Sequence, residues 1–258
     1  MKKPIGIMLA AALAVGATAI AVAADAPKPG SKAPTAADYA ALAKLPDWSG
    51  VWETDWRGQR PRAAGPPAAR AQPRLTPEFQ AKQAAAGARP AGGGGSGANC
   101  VPPGLPGIMT QPYPIEFLFT PGKIAILIEA YMQFRHIYTD GRKHPEDPDP
   151  TYMGHSIGHW EGDTLVVDSV GFNDSIRIAG RYPHSDKLHI VERIRKVDKD
   201  WMEIQTTFID PEVLAEPYST TGSFRHMDDE IREYICLENN HDSTDENGRA
   251  GFSLEKKQ

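Results

Sequence analysis

The sequence predicts an all-β protein, an antiparallel β-barrel interrupted by a long Gly/Pro/Ala-rich insertion. Three observations carry this expectation. From residue 113 onward, short runs alternate apolar and polar side chains, the period of a strand with one buried face. The runs are separated by turn formers such as Pro121-Gly122, Asp140-Gly141 and Glu161-Gly162-Asp163. Helical signals are confined to two short stretches, and a set of about nine or ten strands closes most simply as a barrel, which removes exposed sheet edges.

At the N-terminus, Lys2 and Lys3 precede an apolar run over residues 5–20 and the small-residue site Ala21-Val22-Ala23-Ala24, the pattern of a cleavable signal peptide over residues 1–24. The run is short and Ala/Gly-rich for a membrane span, and no later segment approaches about 20 apolar residues. The mature product is expected in the periplasm or secreted, with no membrane span after cleavage. Residues 25–47 read as a leader carrying a short helix at 35–45, with Thr35 as N-cap and Pro46 as the stop. A single barrel domain is expected over residues 48–241, followed by a polar tail at 242–258. Its first strand is Trp48-Ser49-Gly50-Val51-Trp52-Glu53, in which Gly50 lets the backbone pass close to a neighbour. A Gly-x-Trp motif at this place in a β-rich exported domain resembles the opening of lipocalin-like, calycin-type barrels. Residues 57–99, with Gly92-Gly93-Gly94-Gly95, are too poor in apolar side chains to offset ordering and read as a surface insertion. One helix is expected inside it, at 76–86, with Thr76 as cap and Pro77 at the first helical position.

Beyond Pro112 the expected strands are 115–120, one long or twice-bent strand over 123–138, then 155–160, 164–170, 188–197, 202–209, 218–226 and 230–236. Alternation through 123–138 places Ile124, Ile126, Ile128, Ala130, Met132 and Phe134 on one face. Leu127, Glu129, Tyr131, Gln133 and Arg135 fall on the other. A barrel of about eight strands can hold one small ligand. Glu129 and Arg135, set among apolar residues on that second face, point to such an interior pocket.

The formal charge of −5, with no basic stripe interleaved with aromatics, gives no sign of a nucleic-acid partner, and none is expected. The two cysteines, Cys100 and Cys236, belong to a chain addressed to an oxidising compartment and are expected to form a disulfide. The absence of a C-x-x-C pair argues against a zinc ribbon or a thioredoxin-like redox site.

Gly154-His155-Ser156-Ile157-Gly158 matches G-x-S-x-G, but a tight turn and a second strand follow it, so the strand-to-helix elbow that a serine hydrolase needs is not expected. His155 and His159 would meet at one ion on a helix. On a strand they share a face about 13 Å apart. No metal is therefore assigned, although His144, His184 and His189 stand on neighbouring segments that can approach them. In a glycine-punctuated strand with room for a ligand, these imidazoles suit general acid–base work near neutral pH. Arg135, Tyr138, Asp140, Arg142 and His144 cluster around the Asp140-Gly141 turn, which serves either as plain hairpin chemistry or as an anion clamp at the barrel mouth. In Leu188-His189-Ile190-Val191-Glu192-Arg193 the alternation sends a charge inward whichever face is buried. A buried Glu192 or Arg193 then needs a partner, for which Glu129 and Arg135 are the candidates.

Several segments together resemble a large family of secreted bacterial β-rich proteins. They are Cys100-Val101-Pro102-Pro103-Gly104, the run from Ile137 to Pro145, Gly158-His159-Trp160-Glu161-Gly162-Asp163-Thr164-Leu165-Val166-Val167, Leu188 to Arg193, and Glu233-Tyr234-Ile235-Cys236. The resemblance implies an exported β-rich domain. Where that family ends on Cys-x-Glu-Gly-Asn, this chain reads Cys236-Leu237-Glu238-Asn239-Asn240, with asparagine in place of the turn glycine. The residue inventory suggests a cofactor-independent lyase, dehydratase or isomerase acting on a small aromatic or largely apolar molecule. Its proton carriers would be His155, His159, His189 and Glu129. Substrate would be held by Arg135, Tyr131, Tyr138, Asp140, Arg142 and Arg193. The alternative is a non-catalytic small-molecule binding protein.

Overall fold

A computed structural model describes residues 33–60, 72–85, 100–236, 242–244 and 250–252. The expected signal peptide, the four-glycine run and Asn239 lie outside the described residues. Nine strands follow one another: β1 (Val51–Thr54), β2 (Pro114–Thr120), β3 (Lys123–Ile128), β4 (Gln133–Tyr138), β5 (His155–Glu161), β6 (Thr164–Val170), β7 (His189–Lys196), β8 (Trp201–Ile209) and β9 (Tyr218–Met227). They form a closed barrel in sequence order. Closure comes from β9 returning to β1, with Val51 opposite Met227 and Thr54 opposite Phe224. A separate two-stranded ribbon pairs Asp242–Thr244 with Ala250–Phe252.

Neighbouring barrel strands are antiparallel except β4 and β5, which run parallel through Ile137↔Ser156 and Tyr138↔Ile157. A parallel pair cannot be joined by a tight turn and needs a crossover. Residues 139–154 supply it. The Asp140-Gly141 turn therefore opens a crossover and is not a hairpin connection.

Both expected helices form. In α1 (Ala36–Leu42), the Thr35 hydroxyl accepts from the Asp38 backbone N–H at 3.4 Å, while the Asp38 carboxylate accepts from the Thr35 N–H at 2.7 Å, a reciprocal cap. In α2 (Pro77–Ala85), Pro77 opens the helix and Thr76 accepts from the Phe79 N–H at 3.3 Å. The Thr76 hydroxyl also donates to the Glu212 carbonyl at 2.8 Å, and Leu75 bridges Leu214, so this part of the insertion is fastened to the β8–β9 connection.

The segment 123–138 is a hairpin rather than one strand. Glu129 turns the chain, and Tyr131 and Met132 take positive φ values of 59° and 49° within a short 3-10 turn. The turn resets the alternation. Ile124, Ile126, Ile128 and Ala130 are buried as expected, but Phe134 is 59% exposed while Arg135 and Ile137 point inward. Period-two counting through a turn assigned the second half to the wrong face.

Residues 230–236 form no strand, because closure of β9 on β1 leaves no edge for a tenth strand to pair with. They are fixed by the Arg232 N–H donating to Glu129 at 2.9 Å and by a disulfide between Cys236 and Cys100. No helix among the described residues is long and apolar enough to cross a membrane.

The barrel is filled by its inward side chains, including Trp52, Ile126, Leu165, Ile190, Ile194 and Met202, each fully buried. At one end Trp48 packs edge-on against Phe117, Phe119 and Trp160 at 5.1–5.6 Å between ring centroids, the T-shaped arrangement that aromatic quadrupoles prefer. Near the other end Ile108 and Met109 are buried, and the Met109 carbonyl accepts from the Thr54 hydroxyl at 3.0 Å. Gly50 does what its position suggests. At φ +93° it lets His226 pass so close that a Cβ would stand 2.3 Å from the ring Nε2.

Candidate functional site

The barrel alternation sorts the expected site residues into two groups that do not meet. Arg135 on β4, Ser156 on β5, Ser169 on β6 and Glu192 on β7 face inward and are buried. The Arg135 guanidinium donates to Glu192 and, at 3.1–3.3 Å, to the two serine hydroxyls, which bond each other at 2.7 Å. Both charged side chains are sealed from solvent. Arg135 is thus the partner that a buried Glu192 requires and is not available to orient a substrate. Ser156, the serine of the G-x-S-x-G match, sits within a strand, its hydroxyl bonded to Arg135 and Ser169.

The histidines face the other way. His155 on β5 and His189 on β7 alternate with the buried Ser156 and Ile190, so the barrel interior is not their pocket. Nor do Gly158 on β5 and Gly154 just before it leave room for a ligand. A Cβ on Gly158 would lie 2.9 Å from Ile137, and one on Gly154 would lie 2.6 Å from the Val170 carbonyl oxygen.

On the outer face of β5, β6 and β7, under the 139–154 crossover, His155, Asp168 and His189 meet His144. The Asp168 carboxylate contacts His144 Nε2 at 3.3 Å and His189 Nδ1 at 3.1 Å. His144 Nδ1 and His155 Nδ1 stand 2.9 Å apart. A carboxylate only accepts, so His144 Nε2–H and His189 Nδ1–H donate to Asp168. The contact between the two Nδ1 atoms needs one of them as acceptor, and in the tautomer where His144 Nδ1 accepts, His155 Nδ1–H donates to it. His155 is left with a free lone pair on Nε2. The result is a directed wire, Asp168 to His144 to His155, ending in a base.

Tyr138 and Arg142 flank this terminal base. The Tyr138 ring lies against the His155 ring at 5.3 Å with 24° between planes, and the Arg142 guanidinium sits 3.9 Å above the Tyr138 ring. Asp140 holds Arg142 there through contacts of 2.6–3.0 Å. That guanidinium in turn keeps the Asp140 carboxyl below its ordinary pKa. Burial under the crossover lowers the His155 pKa, helped by His144 and Arg142, so its neutral form is favoured.

Other expected site residues lie apart from this wire. His159 is exposed further along β5, where it touches Glu161 at 3.3 Å, and Glu161 pairs with Arg193 at 2.9 Å. Glu129 and Tyr131 belong to the β3–β4 turn. Glu129 accepts from the Arg232 backbone, and the Tyr131 ring is 5.6 Å from that of Tyr234. His184 lies between backbone carbonyls, its ring nitrogens 2.7 Å from the Ser185 oxygen and 2.9 Å from that of Asn173. It borders a surface cleft of about 290 Å³ with Pro150, Phe172 and Asp174. Among the described residues no three His, Cys, Asp or Glu side chains converge as a metal-ligand set.

Asp168 is the residue that sequence reasoning missed. Its signal was present: in Thr164–Val170 it falls on the outward face with Val166 and Val170, a carboxylate where the neighbouring outward residues are valines. What could not be read is that a parallel β4–β5 pair folds residues 139–154 over it. Searches of protein families, of curated proteins and of solved structures find no match to this chain.

Proposed function

We propose that this chain is an exported, cofactor-independent acid–base enzyme of the lyase, dehydratase or isomerase type, working at the outer face of its barrel. The observation that carries the reading is the chain of contacts from Asp168 through His144 to His155, which in the tautomer with His144 Nδ1 as acceptor leaves His155 Nε2 as a base backed by a carboxylate. When His155 Nε2 takes a proton from carbon, the charge is shared through His144 towards Asp168. The conjugate acid can then return the proton to another atom of the substrate. Arg142 retains N–H donors beyond those that Asp140 occupies and is placed to meet oxyanion charge beside Tyr138. The Cys100–Cys236 disulfide supports a destination in the periplasm or outside the cell.

The test is carbon–hydrogen exchange in D2O, followed by proton NMR over a panel of small aryl ketones and aryl-substituted acids. Wild-type protein is expected to exchange a position next to the carbonyl. His155→Ala should reduce the rate about a hundredfold or more, and Asp168→Asn should also slow it. Because the His155 pKa lies below the ordinary imidazole value of 6.5, activity should persist to lower pH than a solvent-exposed histidine allows. Folding stability should fall as the pH drops past 6.5, since the unfolded chain then binds more protons than the fold does. Exchange that survives His155→Ala unchanged would remove the wire from the mechanism.

A further inference from the structure

Beside the proton wire, the outer face of β2, β3 and β4 carries aromatic and aliphatic side chains, of which Phe134 and Leu118 are exposed. Phe134, His136 and Tyr138 alternate outward on β4, with ring centroids 5.1 Å and 6.4 Å apart, and Tyr138 continues onto His155. Cross-strand register sets Leu127 opposite Phe134, Ala125 opposite His136 and Lys123 opposite Tyr138, with Leu118 on the far side of Ala125. The methyl group of Ala125 is the smallest side chain in this field, so the larger ones around it form the rim of a shallow saddle. Phe134 and Leu118 are 59% and 40% exposed.

Charge gives the saddle a direction. Lys123 makes no ion pair among the described residues. Burial first, and then the Lys123 charge, lower the His136 pKa, so this ring stays an uncharged wall. Glu116 lies across from Leu127, at the opposite end of the β3 row from Lys123, some four residues or about 13 Å away. A bound anion is therefore turned towards Lys123 and away from Glu116.

We propose that this saddle binds an aromatic carboxylate, its ring over Ala125 between Phe134, Leu118 and His136, and its carboxylate at Lys123 on the side that faces Tyr138 and the wire. This names the class of molecule on which the wire acts, and to that extent it rests on the acid–base reading. The binding itself is separable from turnover. An apolar ring satisfies the exposed Phe134 and Leu118, and a single carboxylate satisfies the Lys123 ammonium, which has no ion-pair partner among the described residues.

Fluorescence titration with 2-naphthoate, checked by saturation-transfer NMR, tests it with 2-naphthamide as the uncharged twin. The protein should bind 2-naphthoate about tenfold tighter than 2-naphthamide, and added salt should weaken only the naphthoate. Lys123→Gln should bring naphthoate to the level of naphthamide, and Phe134→Ala should weaken both. Equal binding of the two probes, or binding that neither substitution changes, overturns the proposal. A dimer dissociated by Phe134→Ala in a protein that binds neither probe would assign the face to a second copy of the chain and also overturn it. Saddle binding without exchange in D2O would remove the enzyme and leave the saddle. Exchange without saddle binding would do the reverse.

Discussion

Glu192→Ala is expected to destabilise the fold by about 3–5 kcal/mol, read as a lower midpoint in urea denaturation at unchanged slope. The cause is the charge left behind. Arg135 is as buried as Glu192, and its other partners are two neutral hydroxyls, so the variant holds a guanidinium in the core without a counter-ion. Desolvating the pair is costly in the native protein as well, since Arg135 Nη1 and Glu192 Oε1 have no partner among the described residues. Replacing both, as Arg135→Met with Glu192→Leu, should therefore recover most or all of the loss and can exceed the native stability. A single substitution costing less than about 1 kcal/mol would show that the pair is hydrated in solution.

Removing the Cys100–Cys236 link is the second large effect. The bond joins residues separated by 136 positions, and nearly the whole barrel lies inside the loop it closes. On the chain-entropy account, opening a loop of this size costs about 5 kcal/mol through the freedom regained by the unfolded chain. The Cys100→Ala, Cys236→Ala double variant should therefore melt well below the oxidised protein, and reductant should shift the wild type in the same direction. A local consequence accompanies the global one. Segment 230–236 pairs with no strand, and without the bond it keeps the Arg232–Glu129 and Tyr234–Met132 contacts together with the ring contacts of Tyr234 to Tyr113 and Tyr131. Amide exchange there should rise more than in β6 or β7.

Much of the barrel was legible because burial writes a period of two into each strand. Thr164–Val170 alternates in the structure as in the sequence, and β7 through β9 were located to within a residue or so. The helix at Pro77 and the cap at Thr35 follow from local chemistry alone and were equally readable. Non-local pairing was not. Nothing in residues 139–154 announces that they span a parallel pair, so the loop could not be seen to lie over β5 and β6 or to bring His144 onto Asp168. The β3–β4 turn hid for a related reason. Ala130, Tyr131 and Met132 look like strand residues, and only the positive φ angles of Tyr131 and Met132 and the reversed faces of Phe134 and Arg135 reveal the bend. The sequence therefore named His155, His189, Tyr138 and Arg142 as neighbours in chemistry. Their arrangement depended on which side of the wall they occupied, a parity that one turn inverted for Arg135.

The return of β9 to β1 has a temporal side. On a chain that is made or moved across a membrane N-terminus first, the opening strand emerges early and has no sheet to complete until the last strand arrives. Most of the intervening pairs are between adjacent strands and can assemble as a growing curved sheet, but its two margins stay unsealed until then. Any pause after β8 would leave Trp52 and Met202 open to solvent and to other chains, so truncation before Tyr218 should yield aggregates rather than a smaller barrel.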